Sequence, residues 1–239
     1  MKPGFIILLL ATALLLSCQE EDLIEKYNLT DSSPRIEFVD FDIIDESDDY
    51  ETLLLTIDVY DLEFDLGLTR DDVNAPYNLF DYVRDDDGEL ISISSSPNLP
   101  RYSCDKYLIL FGDFNEILDT VRIELNPNFN NIFVDFYIET APESNIFEWF
   151  DFKSAFRQTN DRCGGDFNAR FPIPQNGPND TLFEMEIADE HKVRISYKMR
   201  SVGFSFLFQN KRFKVETSIK DRALNESNKI TSPVTIFEQ

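Results

Sequence analysis

Apolar and polar residues alternate along most of this chain. The clearest run places Leu53, Leu55, Ile57 and Val59 at every second position, with mostly polar residues between and around them. Successive side chains of a β-strand point to opposite faces, so a period of two predicts a strand with one buried face. The same period predicts further inward-facing sets, which are Val121, Ile123 and Leu125; Ile132, Val134, Phe136 and Ile138; Val193, Ile195, Tyr197 and Met199; Phe204, Phe206 and Phe208; and Phe213, Val215, Thr217 and Ile219.

Turn-forming residues separate these runs, for example at residues 85–88 (DDDG) and 176–179 (NGPN). Residues 34–44 and 232–237 are predicted as the first and last strands. Helical periodicity is scarce, and residues 145–158 fit one short helix and a strand pair equally well. Many strands with few helices predict an all-β, antiparallel sandwich.

The amino-acid composition indicates a hydrophobic core and excludes one class of binding partner. The sandwich is predicted to be one domain, residues 34–239, in which residues 69–129 form an insertion. Hydrophobic residues make up 42% and aromatic residues 13% of the chain, which is enough for a packed core. The net charge of -23 repels phosphate groups, so nucleic acid is excluded, and divalent cations or basic surfaces are better partners. Most basic residues lie within 157–229, so they are expected to attract the acidic first half of the domain.

The beginning of the chain has the pattern of an export signal. Lys2 supplies a positive start, and residues 5–16 (FIILLLATALLL) form an unbroken apolar run. As a helix this run is about 18 Å long, too short for the roughly 30 Å core of a bilayer but typical of a secretory signal. It leads into LLSC at residues 15–18, which resembles the lipobox of bacterial lipoproteins. Residues 1–17 are therefore predicted to be cleaved and Cys18 to be acylated, which anchors the protein to a lipid bilayer. An ordinary signal peptide followed by a chance cysteine is the alternative.

Acidic residues follow the cysteine at once. The sequence QEED at residues 19–22 resembles the surface-export signal of Bacteroidota lipoproteins, which implies an outer-membrane protein displayed at the cell surface. A solvated acidic tether is the alternative. Residues 18–33 have no repeating apolar pattern and are predicted to be a flexible linker.

Two cysteines, Cys104 and Cys163, remain once Cys18 is assigned to lipid. In an exported protein they predict a disulfide that ties the insertion to the rest of the domain. Closing that loop would stabilise the fold by roughly 4 kcal/mol in the chain-entropy model. Free buried thiols are the alternative. A soft-metal site is not favoured, because His191 is the only histidine in the chain.

Residues 213–236 contain the most distinctive motif. A predicted strand leads into the turn Asp221-Arg222-Ala223-Leu224-Asn225 and then into a closing strand. This segment is similar to the last hairpin of bacterial immunoglobulin-like domains, which carry an Asp-x-Ala-Gly-Asn turn. The motif is predicted to have a structural role, and ligand binding is the alternative. Leu224 stands at the glycine position, which puts the geometry of the turn in question.

Four segments together resemble uncharacterised lipoproteins of Bacteroidota. They are residues 53–68 (LLLTIDVYDLEFDLGL), 131–137 (NIFVDFY), 163–172 (CGGDFNARFP) and 221–228 (DRALNESN). The resemblance spans most of residues 34–237 and implies an immunoglobulin-like sandwich and an exported location. It implies no activity. The acidic loop of that family is often Asp-Gly-Asp-Gly-Asp-Leu-Gly-Leu, and its first two glycines are replaced here by Leu62 and Phe64.

The acidic loop still carries carboxylates at alternate positions, Asp61, Glu63 and Asp65. Calcium takes six to eight oxygen ligands, and alternate carboxylates in a loop supply several of them. These three residues are therefore a candidate calcium site. An EF-hand loop is excluded because Leu66 stands where that loop needs glycine. A solvated acidic turn between two strands is the alternative.

Signatures of common enzyme classes are absent from the sequence. There is no Gly-x-Ser-x-Gly, no His-Glu-x-x-His, no Gly-rich phosphate loop and no paired CxxC. His191 lies in the predicted turn DEHK, so it is interpreted as an exposed turn residue rather than a catalytic base. A glycosidase needs only two well-placed carboxylates, and the 45 acidic residues do not single out a pair.

Aromatic side chains outside the core are candidates for ligand binding, because ring faces pack against sugars. Trp149, Tyr77 and Tyr82 are the candidate residues, whereas most of the 22 Phe residues must belong to the core. The sequence thus predicts a non-enzymatic surface lipoprotein for adhesion, scaffolding or capture of a glycan or protein ligand. A carbohydrate-binding accessory lipoprotein of a glycan-uptake system is the first alternative, and a carboxylate-dependent hydrolase is the second.

Overall fold

The structure is a computed structural model that describes residues 25–27, 29, 32–47, 50–96, 98–100, 102–103, 105–155, 165–176 and 181–237. Its strands are β1 (Arg35–Ser47), β2 (Tyr50–Tyr60), β3 (Phe80–Tyr82), β4 (Tyr107–Phe111), β5 (Ile117–Leu125), β6 (Ile132–Glu139), β7 (Phe147–Phe150), β8 (Phe183–Asp189), β9 (Lys192–Ser201), β10 (Arg212–Ile219), β11 (Ile230–Thr231) and β12 (Thr235–Ile236). Its helices are α1 (Phe152–Ala155), α2 (Phe204–Phe208) and a 3-10 turn (Pro174–Asn176).

Two antiparallel sheets pack face to face around one core. The first sheet has the strand order β1-β2-β9-β8, and the second has the order β11-β10-β6-β7, with β12 also paired to β10. The predicted all-β, antiparallel sandwich is therefore confirmed. The fully buried centre of the core includes Leu53, Ile57 and Val59 from β2; Val193 and Ile195 from β9; Ile132 from β6; Phe213 and Ile219 from β10; and Phe171, Phe204 and Phe208 from the connecting segments.

The central strand β2 is buried on both faces. Its predicted inner residues are almost fully inaccessible to solvent, but Thr52, Thr56 and Asp58 on the predicted outer face are buried too. Asp58 is covered because its carboxylate accepts hydrogen bonds from Arg194 Nε at 2.7 Å and Nη2 at 3.0 Å, and Lys192 Nζ lies 2.9 Å away. These ion pairs join the acidic first half of the domain to the basic second half.

A third sheet lies within the predicted insertion. It has the order β3-β5-β4, and all of its strands fall within residues 69–129. Tyr107, Val121 and Ile123 are buried in it but do not belong to the main core. Leu125, predicted to face inward, is exposed because it lies at the end of β5.

One predicted strand is wrong. Phe204, Phe206 and Phe208 lie in helix α2, not in a strand. Phe204 and Phe208 are fully buried, whereas 86% of Phe206 is exposed. Residues four positions apart share one face of a helix and the residue between them points away, so a Phe-x-Phe-x-Phe run suits a helix at the edge of a core as well as it suits a strand.

The ambiguous segment 145–158 contains both kinds of element. Strand β7 occupies Phe147–Phe150 and helix α1 follows directly at Phe152–Ala155. The predicted last strand is shorter than expected, because only Thr235–Ile236 forms β12, and Phe237 makes a separate bridge to Gln209.

The predicted flexible linker reaches the sandwich earlier than expected. Tyr27 and Leu29 are buried, and the Tyr27 hydroxyl donates a hydrogen bond to Asp189 Oδ2 at 2.6 Å. The Tyr27 ring also lies 5.6 Å from the ring of Tyr60. The free energy gained by burying an aromatic ring against the end of the first sheet outweighs the conformational entropy that this short segment loses.

Several predicted features lie outside the described residues. These are the export signal at residues 1–17, the acidic surface-export signal at residues 19–22 and the three cysteines, Cys18, Cys104 and Cys163. Among the residues that are described, no helix has both the length and the apolar character needed to cross a membrane.

Candidate functional site

Trp149 lies on an edge strand with its side chain directed outward. Strand β7 ends the second sheet and pairs only with β6 among the described strands, placing Trp149 opposite Tyr137. The residue is 57% exposed, which is unusual for tryptophan in a domain with a large core. Its indole Nε1 donates a hydrogen bond to Asp135 Oδ1 at 3.0 Å, and this bond restrains the orientation of the ring.

A cleft of about 250 Å³ lies at this edge of the second sheet, and Trp149 is among the residues that line it. It lies between β6, β7, the start of α1 and residues 166–168. The residues that line it are Val134, Asp135, Phe136, Trp149, Phe150, Asp151, Phe152, Asp166, Phe167 and Asn168. The lining therefore combines aromatic residues with carboxylate and amide residues.

The aromatic part of the cleft is rigid because its rings pack on one another and on the core. The ring of Phe152 lies 4.7 Å from Phe136 and 4.9 Å from Phe167, in edge-on arrangements. Phe150 packs against Phe152 in the same way at 5.0 Å. Edge-to-face pairs of this kind are favourable beyond their buried area.

Hydrogen bonds from backbone N–H groups and from the Asn168 side chain hold the polar residues of the cleft in place. Asn168 Oδ1 accepts a hydrogen bond from the backbone N–H of Val134 at 2.9 Å. The backbone N–H of Asn168 donates to Asp166 Oδ1 at 3.2 Å, and its Nδ2 donates to Asp166 Oδ2 at 3.3 Å. These contacts fix residues 166–168 against β6, so the cleft is largely preformed.

The other two predicted ligand residues do not line this cleft. Tyr82 is on β3 in the insertion, where its ring packs against Phe80. Tyr77 is partly buried, and its hydroxyl donates a hydrogen bond to the backbone carbonyl of Arg222. The sequence named these three residues as candidates at two separate places, and of the three only Trp149 lines the cleft.

A second feature is the acidic loop after β2. Asp61 is 0% exposed, and its Oδ1 accepts a hydrogen bond from the backbone N–H of Glu63 at 3.2 Å. The carboxyl group of Asp65 is close enough for its charge to act on that of Asp61. Burial, with the nearby charge of Asp65, raises the pKa of Asp61 to about 7. Burial and the charge of Asp221 likewise raise the pKa of Asp65.

The 221–225 turn packs against this loop. The backbone N–H of Arg222 donates to the Asp65 carbonyl at 3.0 Å. Asp221 accepts hydrogen bonds from the backbone N–H and the Nδ2 of Asn225, both at 2.8 Å. Leu224 adopts a φ of +69°, the left-handed conformation that glycine adopts more easily. The turn therefore forms with leucine at the glycine position, at some cost in strain.

The guanidinium of Arg222 holds the loop and the turn together. It donates to both carboxylate oxygens of Asp72, at 3.0 and 3.3 Å, and to the carbonyl of Gly67 at 3.2 Å. The hydrogen bonds from Arg222 hold the pKa of Asp72 well below its usual range. The paired geometry is typical of a structural Arg–Asp contact.

The three-carboxylate calcium site predicted from Asp61, Glu63 and Asp65 is not assembled. Glu63 is exposed, and the described residues contain no group of three or more His, Cys, Asp or Glu side chains arranged to hold a metal ion. His191, predicted to be an exposed turn residue, is instead partly buried, and its ring Nδ1 lies 3.3 Å from the Asp61 carbonyl.

Sequence reasoning did not single out Asp135, Asp166 and Asn168 as site residues. The alternation in β6 placed Asp135 on the outer face, and residues 166–168 belong to a segment that carried the family resemblance. Neither signal showed that these residues meet Trp149, because that contact depends on which strands pair. Comparison with protein-family models, with curated proteins and with solved structures finds no match for this chain.

Proposed function

We propose that this chain is a lipid-anchored binding protein that is exported to the bacterial outer membrane and holds a carbohydrate in the cleft beside Trp149. The observation that carries the proposal is an exposed indole, oriented by a carboxylate, at a preformed cleft with polar walls. The protein serves capture or adhesion in this proposal and does not act as an enzyme.

The Trp149 ring suits the apolar face of a sugar. Sugar rings present C–H groups on their faces and hydroxyls around their edges, so one aromatic plane with nearby hydrogen-bonding groups matches both. The hydrogen bond to Asp135 orients the indole before a ligand arrives, which lowers the entropy lost on binding.

The polar wall suits the hydroxyls. Asp135, Asp151, Asp166 and Asn168 provide carboxylate and amide groups along the cleft. Carboxylates accept hydrogen bonds from sugar hydroxyls, and the acidic lining disfavours anionic ligands. A neutral or basic glycan is therefore the best match.

A binding role is preferred to hydrolysis because two of these carboxylates already serve as structural acceptors. Asp135 accepts from the Trp149 indole, and both oxygens of Asp166 accept from Asn168. A general acid or base has to exchange protons with the substrate instead.

The anchor in this proposal is Cys18, supported by the apolar run and the lipobox-like LLSC sequence. Tyr27, where the chain is already packed on the sandwich, lies nine positions after Cys18. A fully extended chain of that length spans about 30 Å. The end of the first sheet near Tyr27 would therefore stay close to the membrane surface.

Trp149 is the only tryptophan in the sequence, so intrinsic fluorescence reports directly on the cleft. We expect a defined oligosaccharide, selected on an array of neutral and basic glycans, to change the emission of the purified protein. Trp149→Ala is expected to weaken its binding at least tenfold in calorimetry, because the stacking surface is lost. Tyr82→Ala removes another exposed aromatic residue that does not line the cleft, and it should leave the affinity unchanged. Absence of binding to every glycan, or release of reducing ends from a bound one, would refute the proposal.

Anchoring is tested separately. Cys18→Ala removes the acylated thiol, and we expect the protein to move from the membrane fraction to the soluble exported fraction, with a mass that lacks the acyl chains. Cys104→Ala should keep the protein in the membrane fraction. A native protein that retains Met1 and an unmodified Cys18 would disprove the anchor without bearing on the cleft.

A further inference from the structure

Two buried carboxylate oxygens in the acidic loop have no hydrogen-bond donor among the described residues. They are Asp61 Oδ2 and Asp65 Oδ1, which belong to the same loop, and the charge of Asp65 acts on Asp61. Buried acceptors of this kind are rare, because an unsatisfied polar group costs free energy and a charged one costs more. The remaining Asp61 oxygen accepts only from the backbone of its own loop.

The charge of Arg222 acts on Asp65, but Arg222 does not form an ion pair with it. In the described part of the chain, neither Asp61 nor Asp65 forms an ion pair with lysine or arginine. The nearby guanidinium of Arg222 is directed to Asp72 and to the carbonyl of Gly67. Asp221 is a third buried acidic residue whose charge acts on the pair, while its oxygens bond to Asn225.

We propose that Asp61 and Asp65 bind a divalent cation, with Ca²⁺ as the best fit, at the contact between the acidic loop and the 221–225 turn. The donors are all oxygens, which hard cations prefer. The ligand set differs from the alternating one predicted from the sequence, because Glu63 is exposed and is replaced in the cluster by the charge of Asp221.

The number of protein ligands sets the expected affinity. Two carboxylates supply at most four of the six to eight oxygens that calcium takes, so water completes the coordination shell. Such a site belongs to the weak range of extracellular modules, with a Kd of about 0.1–1 mM. The bound cation neutralises the buried charge, and its main effect is to stabilise the fold of the loop against the turn.

The test compares thermal unfolding of the purified full chain after treatment with chelator, with and without 10 mM CaCl₂ at pH 8 and constant ionic strength. We expect calcium to raise the Tm by roughly 3–10 °C. Asp65→Asn should abolish this rise, whereas Glu63→Gln, which removes an acidic residue from the same loop, should retain it. Asp61→Asn serves as a second variant, and calorimetric titration of the wild type with CaCl₂ detects binding even if both Asn variants unfold.

The alternative is that Asp61 and Asp65 share a proton and bind no cation. In that case calcium changes neither the Tm nor the heat of titration, and the chelated protein becomes more stable as the pH falls from 8 to 5.5. That pattern would overturn the proposal. A calcium response that persists in Asp65→Asn would overturn it as well, because it would place the cation elsewhere. Glycan binding measured through Trp149 fluorescence is independent of these results, so the two proposals fail separately.

Discussion

Gly67→Ala is expected to lower the free energy of unfolding by about 3 kcal/mol or more. Gly67 has a φ of +85°, where a side chain is strained. A Cβ atom at this position would also lie 2.3 Å from the carbonyl oxygen of Pro172. That oxygen belongs to the backbone, and the adjacent Leu68 N–H donates to the Phe171 carbonyl at 3.0 Å, so the two segments cannot separate without breaking this bond.

Gly88→Ala is the matched control for this substitution. Gly88 has nearly the same φ, +83°, but nothing lies within 4 Å of a Cβ atom added there. The free energy of unfolding of Gly88→Ala should therefore fall only by the cost of the left-handed conformation, roughly 1–2 kcal/mol. Denaturant unfolding of both variants gives the difference. Equal losses would show that the close approach of residues 67 and 172 is not what makes glycine necessary.

Phe208→Ala is expected to lower the free energy of unfolding by about 3–5 kcal/mol. The side chain is fully buried, and its ring stacks on Phe213 at 4.5 Å and on Phe136 at 5.6 Å. Truncation leaves a cavity at the centre of an aromatic cluster whose large rings cannot easily move inward. The same ring packs against Phe150 and Phe152, which line the cleft, so glycan binding should weaken in parallel.

Phe206→Ala is the control within the same helix. Because Phe206 is largely exposed, its loss should change the free energy of unfolding by no more than about 0.5 kcal/mol. The pair also tests the helical assignment of this segment, because in a strand Phe206 and Phe208 would share one face. Similar losses for both variants would contradict helix α2.

The proposed glycan cleft depends on the core behind it. Phe136 is a buried residue of β6 and also lines the cleft. Its neighbour Asp135 points to the other face of the same strand and bonds to the Trp149 indole. One strand therefore supplies both the support and the orienting hydrogen bond, which keeps the site rigid without a separate loop.

The acidic loop has a structural role whether its carboxyl groups bind a cation or share a proton. Its backbone and side chains connect β2, the 171–173 segment and the 221–225 turn, through Leu68, Gly67 and Asp72. These segments are far apart in the sequence, so the loop closes long-range contacts that local structure cannot supply.

The alternation of apolar residues was sufficient to predict the sandwich. In β2, β6, β9 and β10 nearly every residue assigned to the inner face is buried, because a strand has a fixed period of two and the core takes one face. The same pattern failed for Phe204–Phe208, since positions i and i+4 share a face in a helix as well as in a strand. Local periodicity carries no information that separates these two cases in a segment of five residues.

The pairing of strands decided the remaining features. The acidity of residues 61–65 was visible in the sequence, but the approach of Asp221 depends on where the turn after β10 packs. Trp149 stood out as a lone indole, but its contact with Asp135 depends on β7 pairing with β6. Periodicity specifies which face of an element is buried, whereas the partner of each residue follows from long-range packing of the whole chain.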